Sequence, residues 1–121
     1  MTKASDDLQA LERAFWFGDA QHYRANLTPG CLMVFPEMGV ATRNEIVAGV
    51  ESGPRWATVA FNDWRRDDPA RGIAIVAYRA TATRADRTDP HIVLCGSLYV
   101  RDEAESWRLA FHQQTLDPPA R

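Results

Sequence analysis

Four hydrogen-bonding side chains, His112, Gln113, Gln114 and Thr115, stand in a row within the segment SWRLAFHQQTLDPP. The residues before them are strand-like, and a strand ordinarily ends in turn residues rather than in such a run. In an extended chain Trp107, Leu109, Phe111, Gln113 and Thr115 share one face, and Arg108, Ala110, His112 and Gln114 share the other. The bulkier set is expected to face the core. That reading sends Gln113 inward, where a polar group needs either a ligand or a neighbouring partner. It sends His112 outward, as a packed or interface histidine rather than a base.

Two further groups could do chemistry. Trp16, Tyr23, Phe35, Trp56, Tyr78 and Tyr99 are scattered along the chain yet could converge. Small apolar ligands are held by such aromatic walls with a few polar groups for orientation, and ordinary cores are built the same way. Glu37, in the loop PEMGV, and Arg55, after Pro54, each sit beside apolar residues. They could pair at a pocket mouth. A desolvated Glu37 could instead act as a general acid or base.

Metal chemistry has little support. His22, His91 and His112 show neither HxxxH nor HExxH spacing, and there is no Gly-rich phosphate loop or GxSxG. No cofactor is implied. Cys31 and Cys95 lie far apart without a CxxC spacing, and Cys95 sits in an apolar run, as a small buried hydrophobe would.

These residues must be positioned by a single domain, since the chain has 121 residues. A 45% hydrophobic and 25% charged composition is ordinary for a globular protein. The net charge of −2 argues against nucleic-acid or membrane-surface binding, which needs clustered basic charge. No apolar stretch approaches the roughly 18 residues of a membrane span. The segment MTKASDDLQ has no apolar run of the signal-peptide kind, so the expected location is the cytoplasm.

The periodicity predicts a helix over 5–17, with Ser5 as N-cap, then Asp19 capping a second helix over 20–26. Thr28-Pro29-Gly30 reads as a turn and CLMVF as a short strand. Thr42 and Glu45 form a capping box for a third helix, to about Glu51. From Arg55 the period changes to two. Strands are expected over 56–66, 73–84, 92–101 and 107–115, with a turn over 67–72. Helices first and a meander after them mean an α+β fold, a small curved sheet wrapped on N-terminal helices. Arg79, Thr81 and Thr83, with Cys95, Ser97 and Tyr99 and with Ala110, His112 and Gln114, would form a semi-polar outer face suited to a two-fold contact.

The segments FWFGDAQHYRANLTPGCLMVFP, GPRWATVAF, VAYRATATR, SLYVR and WRLAFHQQT resemble the nuclear transport factor 2-like superfamily. Within it the chain is similar to the SnoaL-like group and to domain of unknown function 4440, over Leu8 to Thr115. The resemblance implies a cone-shaped α+β half-barrel, mostly antiparallel and cystatin-like, around a pocket, and a homodimer built across the sheets. Relatives include ketosteroid isomerases, polyketide cyclases, dehydratases and proteins without known activity. Isomerase-like members use a Tyr and two acids. No such trio can be mapped here, and Asp63 is the nearest inward acid. Cyclase-like members use an Asp and a His, but His112 reads as outward.

The expectation is a dimeric protein binding a small apolar or aromatic molecule. Trp16, Phe35, Trp56, Tyr78 and Gln113 would line the pocket, with Glu37 and Arg55 at its mouth. The alternative is an isomerase, cyclase or dehydratase in which Glu37 or His112 moves a proton and Tyr78 or Tyr99 stabilises an oxyanion. A weaker alternative is a scaffold that binds another protein through the sheet face.

Overall fold

The structure is a computed structural model that describes residues 6–53 and 55–117. Three helices, α1 (Leu8–Phe17), α2 (Ala20–Asn26) and α3 (Arg43–Ser52), pack on a curved, unclosed sheet of six strands. The strands are β1 (Leu27–Phe35), β2 (Gly39–Thr42), β3 (Thr58–Ala70), β4 (Ile73–Thr83), β5 (His91–Arg101) and β6 (Trp107–Leu116). Their order across the sheet is β2-β1-β6-β5-β4-β3. β1 and β6 pair in parallel and every other pair is antiparallel. This is the expected α+β half-barrel, with helices against one face of a meander.

Local chemistry explains the helix starts. Asp7 caps α1 by accepting from the Ala10 N–H, and Asp19 caps α2 by accepting from the His22 N–H. The expected Ser5 cap lies outside the described residues. Thr42 and Glu45 form the full capping box of α3. Leu8, Phe15 and Trp16 from α1 and Tyr23 from α2 join Val76, Tyr78, Val93, Tyr99 and Leu109 from the sheet in one buried core.

Three irregularities set which side chains face that core. The first is in β6. Leu98 pairs with Phe111 and Tyr99 with Leu109, so Ala110 has no partner and forms a β-bulge. The alternation changes phase there. Trp107 and Leu109 are buried before it, Phe111 is exposed, and His112 is buried after it. The expected single inward set therefore breaks after Leu109. His112 faces the core, and Gln113 lies on the outer face, its side chain against Gly96.

The second irregularity lies beside the first. β1 passes from Leu27, opposite Leu109, to Leu32, opposite Phe111, with Thr28-Pro29-Gly30-Cys31 between them. The residues read as a turn are thus a bulged part of the strand. Pro29 cannot donate to a ladder, which suits it to such a place.

The third is in β3, where Asp63 has φ +58° and the register shifts between Asn62 and Arg65. Phe61 and Trp64 consequently pack on the same partner, Tyr78, the first tilted and the second stacked, at centroid distances of 4.4 and 5.2 Å. Asp63 is not an inward acid. It is exposed, and its carboxylate accepts from Arg79 at 2.8 Å.

The outer face also differs from expectation. Cys95, Ser97 and Tyr99 are buried, so they do not belong to it. Its residues form registered rows instead. Ile75, Leu98, Phe111 and Leu32 run across four strands, followed by Ala77, Gly96, Gln113 and Val34.

Candidate functional site

α1 brings a carboxylate into the core. Glu12 stands one turn from both Leu8 and Trp16 on the buried face, and only 1% of its surface is exposed. Removing an isolated carboxylate from water costs several kcal/mol. Here the cost is met by donors from the sheet. The hydroxyls of Tyr78 (2.7 Å), Ser97 and Tyr99 all donate to it. His112 Nδ1 lies 3.3 Å from Glu12 Oε1 and 2.6 Å from Ser97 Oγ.

The proton positions follow from the donors. Ser97 Oγ–H donates to Glu12, so its lone pair receives the Nδ1–H of His112. The other ring nitrogen, Nε2, lies 3.1 Å from the Gln114 amide nitrogen and accepts from it. Burial pushes the Glu12 carboxyl up. The hydrogen bond and charge of His112, with the hydroxyls of Ser97 and Tyr99, outweigh burial and hold it below its ordinary value. Burial and then the charge of Glu12 push the Tyr78 and Tyr99 phenols well above theirs, which keeps both as neutral donors.

A cavity of about 760 Å³ opens beside this cluster, between the helices, the β1–β2 turn and the link from β4 to β5. Trp16, Met33, Phe35 and Trp56 supply apolar wall, and His112 with Gln114 supply polar wall. Phe35 and His112 have ring centroids 6.1 Å apart. Trp56 is held between His91, stacked at 5.2 Å, and Trp16, tilted at 5.7 Å.

The expected site residues divide into two groups. Trp16, Phe35, Glu37, Arg55 and Trp56 line this cavity. Tyr78 and Gln113 do not. Tyr78 is buried behind Trp16, whose Nε1–H donates to its hydroxyl at 3.1 Å, and Gln113 faces away because of the Ala110 bulge. Tyr78 and Tyr99 spend their hydroxyl protons on Glu12, which leaves neither to stabilise an oxyanion in the cavity. The expected pairing of Glu37 with Arg55 is not made. Arg55 donates at 2.8 Å to the carbonyls of Phe15 and Trp16, the free end of α1. Glu37 is exposed at the rim.

Glu12, Ser97 and Gln114 are the polar members that the strand-face reading missed. One signal for Glu12 was present. It stands four residues after Leu8 and four before Trp16, on the helix stripe that faces the core. Among the described residues no cluster of His, Cys, Asp and Glu could hold a metal ion, and no helix is long and apolar enough to cross a membrane.

No protein-family model matches the chain, and no curated protein matches it. Solved structures do. An NTF2-like protein of unknown function in nutrient uptake from Rhodospirillum rubrum superposes with a TM-score of 0.77 at 14% identity, covering 92% of this chain and 95% of its own. A candidate calcium/calmodulin-dependent kinase II association domain from Exiguobacterium sibiricum gives 0.77 at 17% identity, covering 99% and 100%. A candidate ketosteroid isomerase from Parabacteroides distasonis gives 0.74 at 12% identity, covering 93% and 86%.

Proposed function

We propose, for a chain that has the nuclear transport factor 2-like fold, that it binds a small, mostly apolar molecule and moves a proton on it, as an isomerase or dehydratase does. The observation that carries this reading is the His112–Glu12 pair, placed where one edge of the imidazole meets an aromatic cavity. A fold neighbour is named as a candidate ketosteroid isomerase, which agrees with such chemistry but does not decide it.

His112 would be the proton-moving residue. Its Nε2 lone pair accepts from the Gln114 amide in the resting site, so that amide must turn aside for Nε2 to take a proton. Glu12 and Ser97 hold the Nδ1–H and so fix which ring nitrogen is left to move a proton, which makes them positioning residues. Gln114 serves both states. Its amide nitrogen donates to the neutral ring, and its amide oxygen, after a flip, accepts from the protonated one. Tyr78 and Tyr99 keep Glu12 ionised without touching the ligand.

The outer rows of Ile75, Leu98, Phe111 and Leu32 fit a second copy of the chain, and a homodimer through the sheet face belongs to this proposal. Placement in domain of unknown function 4440 rests on the sequence segments alone.

Deuterium exchange tests the chemistry. A panel of cyclic ketones, saturated and β,γ-unsaturated, would be incubated with the protein in D₂O and followed by proton NMR. Deuteration next to the carbonyl above the buffer rate is expected for at least one ketone. His112→Gln should lower it by about a hundredfold or more. No exchange above buffer for any ketone, or exchange unchanged in His112→Gln, overturns the proposal.

A further inference from the structure

Three arginines line the cavity, Arg55, Arg84 and Arg87, and none has a carboxylate partner among the described residues. Arg87 is exposed, whereas Arg55 and Arg84 are half-buried. The ion pairs of the structure engage Arg24, Arg66, Arg79, Arg101 and Arg108, but none of these three. The hydrogen bonds of Arg55 go to neutral acceptors, the carbonyls of Phe15 and Trp16 and the Tyr23 hydroxyl, and its buried Nε has no acceptor. Arg84 lies over the Trp56 ring at 4.4 Å.

Stacking uses the flat face of a guanidinium and leaves its N–H donors in the plane, free for an acceptor. Trp56 is itself fixed by Trp16 and His91. The charge of Arg84 is therefore held in one place rather than swinging in solvent.

Carboxylates also stand nearby. Glu37, Asp86 and Asp89 line the rim, but all three are exposed. Water screens them strongly, whereas a half-buried charge acts through a lower effective dielectric. The charges of Arg55 and Arg84 are therefore screened less than those of the rim carboxylates, while Glu12, which also lines the cavity, is already engaged by the Tyr78, Ser97 and Tyr99 hydroxyls.

We infer that the ligand of this cavity carries an anionic group, a carboxylate being the simplest, which docks on Arg84 and Arg55 while its apolar body lies along Trp56 and Phe35 toward His112. This rests on the proposed ligand-binding reading and adds the ligand's chemical class. It assigns Arg84 a recognition role that the proton chemistry does not require.

The test compares two probes of one shape, 2-naphthoate and the neutral 2-acetylnaphthalene, by titration calorimetry. Wild type should bind 2-naphthoate at least about tenfold more tightly, the scale of a charge-assisted hydrogen bond in a partly buried site. Arg84→Met keeps apolar cover on Trp56 and removes the charge, so it should erase the preference while leaving 2-acetylnaphthalene binding within about twofold. Arg84→Lys should restore part of it. Equal binding of the two probes by wild type, or a preference that survives Arg84→Met, overturns the anion site. Neither result touches the proton chemistry, which deuterium exchange reads separately. If neither probe binds at millimolar concentration, the anion site and the apolar ligand both fall.

Discussion

His112 Nδ1 stands 3.3 Å from Glu12 Oε1, with Ser97 Oγ within hydrogen-bond reach of both. One residue comes from the first helix and the other from the last strand, so the contact ties the two ends of the fold across its core. A buried carboxylate with this many donors is costly to disturb, because every donor is left without an acceptor at once.

Glu12→Gln should therefore destabilise the protein strongly. The amide has one acceptor oxygen where the carboxylate has two, and its NH₂ would face the Tyr99 or Ser97 donors. Loss of one partner from a buried charged network costs about 3–5 kcal/mol. A fall in Tm of more than about 10 °C is expected by calorimetry. A fall of only a degree or two would mean that Glu12 is not ionised against these donors.

The same group predicts an acid limb of stability. Its folded pKa lies below the ordinary glutamate value of 4.5, so ionised Glu12 contributes stability that is fully present above that pH. The contribution is lost as pH falls below 4.5 through the folded value. Urea unfolding at pH 7 and at successive values below 4.5 should show a decline steeper in wild type than in Glu12→Gln. Parallel declines would contradict the assignment.

Deleting Ala110 tests the bulge. With Ala110 gone, Leu109 and Phe111 become neighbours, as their partners Tyr99 and Leu98 already are, so the β5–β6 ladder pairs without a break and His112 keeps its inward direction opposite Ser97. Diethyl pyrocarbonate should then modify His112, which is 7% exposed in the wild-type fold, no faster than before, and ketone exchange should persist. Ready modification of His112 with exchange lost would show that Ala110 occupies a place in the ladder.

Phe111→Glu tests the proposed dimer. Phe111 lies in the outer row between Leu98 and Leu32 and is more than a third exposed. Sedimentation should show a dimer for wild type and a monomer for the variant, with Tm changed little because the site faces away from the core. A wild-type monomer at micromolar concentration would end the dimer reading.

Much of the fold was legible because local chemistry announces it. Asp19, Thr42 and Glu45 mark helix starts through their own side chains, and the long period-two runs from Thr58 onward mark strands. What was not legible depends on single backbone positions. Alternation along WRLAFHQQT assumes an unbroken ladder, and nothing about an alanine advertises a missing partner. The reading was correct up to Leu109 and reversed beyond it, exchanging His112 and Gln114 for Gln113. Asp63 failed in the same way, since its positive φ turns its side chain outward and brings Trp64 into line with Phe61. Glu12 failed for another reason. A lone acid in a helix is ordinarily solvated, and only its tertiary partners, Tyr78, Ser97, Tyr99 and His112, make burial affordable.

The bulge at Ala110 makes the site tolerant of a change in length. One backbone unit standing outside the ladder lets Leu109 and His112 face the same way although they are three apart in sequence. A chain one residue shorter, lacking only that unit, would show the cavity the same polar row. A chain of the same length in which that residue took a place in the ladder would instead exchange the whole row with the opposite face. Within this fold, the last strand can thus gain or lose a residue at the bulge while the site keeps its chemistry, and matching residues column by column assigns the faces wrongly unless the gap is placed there.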